Sequence, residues 1–251
     1  MKIFLSSVEG SGVKSTIEEI IKTTKMKYNL MSYYYIKSGK MEYAEKVRDN
    51  SEEILIDSGA HSFQFGKKED FKEYTQNYAR FIEQFDRPNV IGYFEMDIDN
   101  IIGYEKVLEL REILEKVSDK IIPVWHPNRG IKDFQEMCKK YSNKVVAIGG
   151  FAGKEIREEQ YIMFVKYAKK FNCKIHCLGM TRKKILNKVP FDYVDSSSWL
   201  QTVVYGRTLD NRRLPKVKNG EERKNQYMYS YLQAMEMQKK YYNKWRKVCK
   251  D

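Results

Sequence analysis

Short apolar or β-branched runs alternate with longer amphipathic stretches along the whole chain, and this alternation restricts the fold more than any other feature. Eight runs read as strands: Lys2 to Ser6, Leu30 to Ile36, Ile54 to Asp57, Val90 to Met96, Lys120 to Trp125, Lys144 to Ile148, Lys174 to Leu178 and Phe191 to Asp195. Helical periodicity fills the intervals, near Lys14 to Thr23, Lys40 to Arg48, Lys68 to Phe85, Ile101 to Val117, Ile131 to Tyr141, Glu155 to Phe171, Arg182 to Asn187 and Glu221 to Lys247. The third of these is the clearest, with Phe71, Tyr74, Tyr78, Phe81, Ile82 and Phe85 at helical spacing, as a core-facing stripe requires. Eight βα units are what close a parallel barrel, and 251 residues suit one. The expected fold is therefore a single-domain (β/α)8 TIM barrel spanning residues 1–251, with a polar, basic loop at Gly206 to Gly220 and a long C-terminal helix.

Composition narrows the setting. No run of about 18 apolar residues occurs, and the apolar stretch after Met1 is too short for a signal peptide, so a cytoplasmic protein with no membrane attachment is expected. Four scattered cysteines do not make a disulfide framework. The 46 Lys+Arg against 34 Asp+Glu leave a net charge of +12, which fits a polyanionic partner or simply a lysine-rich surface.

In such a barrel the chemistry collects where strands end. Strand three ends in Asp57-Ser58-Gly59-Ala60-His61, strand four in Glu95-Met96-Asp97-Ile98-Asp99 and strand five in Trp125-His126-Pro127-Asn128-Arg129. Strand six ends in Gly149-Gly150-Phe151, strand seven in Leu178-Gly179-Met180-Thr181 and strand eight in Asp195-Ser196-Ser197-Ser198-Trp199. Any one of these Asp or Ser residues is accounted for as a helix cap or turn, whereas their convergence on one rim favours a site. Two other motifs carry less weight. Gly10 to Thr16 resembles a phosphate-binding loop, but Val13 separates the glycine from Lys14. Cys173, His176 and Cys177 have zinc-like spacing, but strand alternation puts Cys173 and His176 on opposite faces, so no metal is expected there. His126 could ligate a metal as in barrel hydrolases; a hydrogen-bonding role is favoured because His-x-His is missing after strand one.

The ordered strand ends resemble the tRNA-guanine transglycosylases (queuine tRNA-ribosyltransferases) and the related DNA transglycosylases that insert 7-deazaguanine bases. The resemblance rests on Ile56-Asp57-Ser58-Gly59, Ala147-Ile148-Gly149-Gly150-Phe151 with Glu155, Cys177-Leu178-Gly179 and Phe191-Asp192-Tyr193-Val194-Asp195, and spans about residues 54 to 200. It implies Asp195 as the nucleophile that attacks C1′ of a guanine nucleotide, and Asp57 as the acid/base that serves the departing and incoming bases. Two inversions then give net retention. It also implies base contacts from Asp97, with Glu95 or Asp99 as alternatives, and from Ser58, His61, His126, Gly149, Gly150, Phe151, Glu155, Leu178 and Gly179.

Two departures stand out: His61 falls where the family has an aromatic, and His126 where it has a glutamine. The Cys-x-Cys-x-x-Cys zinc subdomain of the tRNA enzymes is missing, so neither zinc nor any other cofactor is expected. The resemblance is accordingly closer to the DNA-acting branch found in phages and bacterial genomic islands, where the setting would be the host cytoplasm. Exchange of guanine in DNA for a preQ0-like base is the expected activity, with tRNA as the alternative substrate and a non-catalytic nucleic-acid-binding barrel as the alternative of another class. Backbone phosphates are expected to meet Arg129, Arg182, Lys183, Arg207, Arg212 and Arg213, and a homodimer is left open.

Overall fold

A computed structural model describes residues 1–63, 69–149, 156–217 and 219–249, with His61 described through its backbone alone. The strands are β1 (Lys2–Ser6), β2 (Met26–Ser32), β3 (Ser51–Asp57), β4 (Val90–Phe94), β5 (Ile121–Ile122), β6 (Val124–Trp125), β7 (Val145–Ile148), β8 (Lys174–Cys177) and β9 (Tyr193–Ser196). All pair in parallel in the order β5-β4-β3-β2-β1-β9-β8-β7-β6. The two ends of that order are halves of one strand, split at Pro123, whose missing N–H interrupts the ladder. The sheet is thus an eight-stranded barrel with its seam in the fifth strand, as the alternation of the sequence predicts.

Around it lie α1 (Lys14–Thr23), α2 (Tyr33–Ile36), α3 (Met41–Asp49), α4 (Phe71–Phe85), α5 (Asp99–Ile102), α6 (Tyr104–Glu115), α7 (Gly130–Lys140), α8 (Glu158–Lys170), α9 (Lys183–Leu186), α10 (Ser198–Val204) and α11 (Gly220–Trp245). Caps set several boundaries: the Asp70 carboxylate accepts from the N–H groups of Lys72 and Glu73 to start α4, and Asn219 accepts from Glu222 N–H to start α11.

Alternation along the strands sorts side chains into layers. Phe4, Leu30, Leu55, Phe94, Ile122, Val124, Ala147 and Tyr193 fill the barrel interior. Their neighbours, such as Leu5, Ile54, Ile56, Val146 and Ile148, face the helices. The apolar stripe of α4 packs in this outer layer, where Tyr78 stacks on Tyr33 with ring centroids 4.9 Å apart. Burying one such aromatic stabilises the fold by about 1.5–3 kcal/mol.

Three elements differ from the sequence reading. Strand two is Met26–Ser32 rather than Leu30 to Ile36, because its last residue pairs with Asp57 and the following Tyr33–Ile36 turns into α2 to seat Tyr33 against α4. The helix expected from Ile101 to Val117 is two helices, broken at Gly103, whose φ of 83° leaves the helical region. Ser198–Val204 adds a helix after strand eight that short-range periodicity did not reveal. Among the described residues no helix is long and apolar enough to cross a membrane.

Candidate active site at the C-terminal rim

Every parallel strand delivers its last residues to the same end of the barrel, which is why residues far apart in sequence meet there. Asp195 is the hub. Its Oδ1 accepts from His176 Nε2 and from Gly179 N–H, both at 2.9 Å, and its Oδ2 accepts from the Ser6 hydroxyl at 3.2 Å. Strand register explains the set: Phe4 pairs with Asp195 and Cys177 with Val194, so β1 and β8 flank β9 at this level. His176 is fully buried among Phe4, Phe94 and Tyr193, which fixes its ring.

Asp57 lies three strands away from Asp195, at the end of β3, with β1 and β2 between. Its Oδ2 accepts from Gly59 N–H at 2.9 Å, and its carboxyl also takes a hydrogen bond from the Ser32 side chain. Gly59 has φ of 84°, and a Cβ there would lie 2.2 Å from Tyr34 Cβ, so the turn that holds Asp57 requires glycine. Burial pushes the Asp57 carboxyl up from 3.8 to about 6, and the charges of Asp97 and Asp195 push the same way. Asp57 is therefore close enough to feel the charge of both other aspartates.

Asp97 accepts from, or shares a proton with, His126 Nε2 at 2.5 Å. Burial opposes charge on His126, but the hydrogen bond and charge of Asp97, with Asp99 behind it, outweigh that and raise the imidazole above its usual value. Gly149 provides the seat: a Cβ there would lie 2.2 Å from His126 Cε1. The donor atoms of Asp97, Asp99 and His126 lie within 4.8 Å of one another, a spacing that could hold a metal ion.

Several residues expected at the base take other roles. The Ser58 hydroxyl is buried and donates to Glu95 O at 2.8 Å, so it has no proton to offer a ligand. Gly149 N–H donates to Trp125 O, and Gly179 N–H is spent on Asp195; both glycines organise polar side chains instead of offering their amides. Leu178 packs at the edge of the interior cluster. Glu95 is ruled out as a base reader. It is buried, its Oε2 pairs with Arg111 Nε, and its Oε1 accepts from Val124 N–H, closing the seam that Pro123 opens. Of the alternatives on strand four, Asp97 and Asp99 remain. The His61 side chain, Gly150, Phe151 and Glu155 lie outside the described residues.

The basic set also divides. Arg129 is not a backbone contact: its side chain is 7% exposed, pairs with Asp133 at 3.2 Å, donates to Val124 O and lies 4.0 Å over the Tyr104 ring. The interrupted fifth strand needs that donor more than solvent does. Arg182, Lys183, Arg207, Arg212 and Arg213 are exposed. Lys183 lines a cleft of about 710 Å³ with Thr181, Ser198 and Thr202 beside the rim.

Sequence reasoning missed Ser6, Ser32, Glu9 and His176. Polar residues ending the first two strands, and one alternating with apolar residues inside the seventh, were the available signals. Glu9 is 2% exposed; its Oε1 accepts from Ser32 N–H, and burial, with repulsion from Asp57, lifts its carboxyl to about 7. The zinc-like trio is dispersed as alternation requires: the Cys173 thiol lies 3.3 Å from both Cys138 O and Tyr141 O and shares its one proton between them, His176 holds Asp195, and Cys177 faces the helices. In the loop like a phosphate-binding one, the Lys14 ammonium sits 5.3 Å from the Tyr43 ring centroid and 4.0 Å from Glu18.

No family model matches the chain, and no curated protein does. Solved structures do. A protein assigned as a fructose-1,6-biphosphate aldolase from Coccidioides immitis is 13% identical, over 94% of this chain and 89% of that one, with a TM-score of 0.56. A mutant tryptophan synthase α-subunit from Pyrococcus furiosus is 12% identical, over 94% of this chain and 98% of that one, with a TM-score of 0.52. Likeness at this identity defines a class by its fold: the chain is a (β/α)8 barrel with its polar cluster at the C-terminal rim.

Proposed function

We propose that this barrel exchanges guanine in DNA for a 7-deazaguanine base through a covalent glycosyl intermediate on Asp195. One observation carries the reading: two carboxyl groups stand at one rim, one raised by burial and one held by three hydrogen-bond donors. Asp57 is buried against like charges and favours its proton, whereas Asp195 accepts hydrogen bonds from three donors. The imidazole and the Gly179 amide occupy Oδ1, which leaves Oδ2, held among the described residues by the Ser6 hydroxyl, to attack C1′. The C1′–N9 bond breaks, its electron pair passes to the base, and Asp57 supplies the proton. The incoming base then gives a proton to Asp57 and its nitrogen displaces Asp195, restoring both groups. Asp97, paired with His126, faces the base edge. Duplex stacking hides C1′ from Asp195, so the target is flipped out or single-stranded. A band of enzyme-polynucleotide adduct on denaturing gels, formed with DNA and lost in Asp195→Asn, is the expected result. An adduct with tRNA alone would move the substrate to RNA, and binding without any adduct would leave only a nucleic-acid-binding barrel.

A second reading, metal-dependent hydrolysis of a nucleotide or amide, is favoured by the cluster of Asp97, Asp99 and His126. Elemental analysis of the purified protein, with Asp99→Asn as the control, separates the two. A stoichiometric metal lost in that variant supports hydrolysis, and an adduct formed in the presence of chelator supports base exchange.

A further inference from the structure

We infer that Tyr205, with Arg207 and Arg213 beside it, is a stacking platform for an unpaired base two or three positions from the target nucleotide. The inference rests on the nucleic-acid reading above and extends it to a surface that reading does not use. Val204 and Tyr205 close α10 with 60% and 76% of their surface exposed, and Tyr205 is the most exposed large apolar side chain among the described residues. Together with exposed Arg207 and Arg213, the Tyr205 ring offers an aromatic face beside positive charge, the pairing by which single-stranded nucleic acid is held. The backbone around it is closed by hydrogen bonds. Gly206, with φ of 66°, ends the helix; Arg207 and Arg213 form an antiparallel bridge, and Leu214 N–H returns to Gly206 O at 2.9 Å. Both guanidinium-bearing side chains are exposed on the bridged segment.

Position selects the occupant. α10 starts two residues after the β9 strand end, and Trp199 anchors it by donating to Ser6 O at 2.9 Å, on the residue whose hydroxyl holds Asp195. Seven helical residues span about 10 Å. That is the reach of two or three nucleotides at about 3.4 Å each along a stacked strand. A nucleobase has a flat face for the ring and a phosphate on either side for the guanidinium groups, whereas an apolar protein partner would leave two arginines to be desolvated. Stacking is indifferent to base identity, so the platform contributes affinity and register rather than sequence choice.

The test uses the full chain and a single-stranded oligodeoxynucleotide with 2-aminopurine, a fluorescent adenine analogue, placed in turn at positions flanking one guanine. Binding to the wild type should quench the analogue at one flank. Tyr205→Ala should abolish that quenching and weaken binding about tenfold, while Tyr205→Phe, which keeps the ring, should retain both. Tyr205→Ala binding and quenching like the wild type would overturn the platform while leaving the adduct assay, and so the proposed reaction, untouched. A wild type that binds neither DNA nor RNA overturns both. Sedimentation of the same proteins checks a second copy as occupant: a wild-type dimer that becomes monomeric in Tyr205→Ala overturns the inference.

Discussion

Asp57 is placed where an ionised carboxylate is costly, and the cost gives a measurable sign. Its pKa in the fold, about 6, stands above that of an unfolded aspartate, so the native state holds the proton more tightly. The stability this contributes is complete below about pH 4 and is lost as pH rises through 6. Asp57→Asn removes the loss and keeps an oxygen for Gly59 N–H. The variant should be inactive in base exchange, yet about 1–2 kcal/mol more stable than the wild type at pH 8, with the difference vanishing near pH 4, as urea titrations at several pH values would measure. Glu9 has the same sign over a higher window, from 4.5 to about 7, so Glu9→Gln should flatten the remaining decline of stability towards pH 8. Gly149→Ala is the steric counterpart. Its Cβ would lie 2.2 Å from the His126 ring, so the ring must leave Asp97. Base exchange should fall at least about tenfold and stability by about 1–3 kcal/mol, the latter read from denaturant midpoints.

At the scale of elements, the fifth strand is where the barrel depends on side chains. Pro123 divides it into two-residue halves, and the buried Glu95–Arg111 pair, with Glu95 accepting from Val124 N–H, bridges the gap. Burial raises the Glu95 carboxyl and the Arg111 charge and hydrogen bond work against that rise, so removing the guanidinium alone strands a buried acid. Arg111→Met should cost about 3–5 kcal/mol in thermal or denaturant unfolding, and adding Glu95→Gln should recover part of it. Proline inside a predicted strand was the visible warning in the sequence; the identity of the bridge was not, since Glu95 and Arg111 look like ordinary charged residues until α6 folds back over β4 and β5. The same folding turned Arg129 inward over Tyr104 and away from any phosphate.

At the scale of the whole molecule, the +12 charge separates into a structural part and an available part. Arg48, Arg111 and Arg129 have side chains 3%, 3% and 7% exposed and are spent on internal partners, whereas Arg207 and Arg213 are exposed beyond strand eight and Arg212, also exposed, pairs with Asp210. The logarithm of DNA affinity should fall linearly with the logarithm of salt, and Arg207→Ala with Arg213→Ala should reduce that slope by about two. Arg129→Ala should leave the slope unchanged while lowering the melting temperature, which distinguishes a phosphate contact from a structural cation in one titration series.

Periodicity alone determined that this chain is a barrel of eight βα units, because side-chain direction along strands and helices repeats locally and the barrel closes at that count. It also placed Asp57, Asp97, His126 and Asp195 at one rim, since position after a strand is a local property. Which of those groups keeps a proton, which amide holds which carboxylate, and why Ser58 and Glu95 turn away from the rim were decided only in three dimensions. Those properties come from burial, from the field of charges distant in sequence, and from register between strands up to 189 residues apart, as in the bond from Ser6 to Asp195. No short window of sequence contains them.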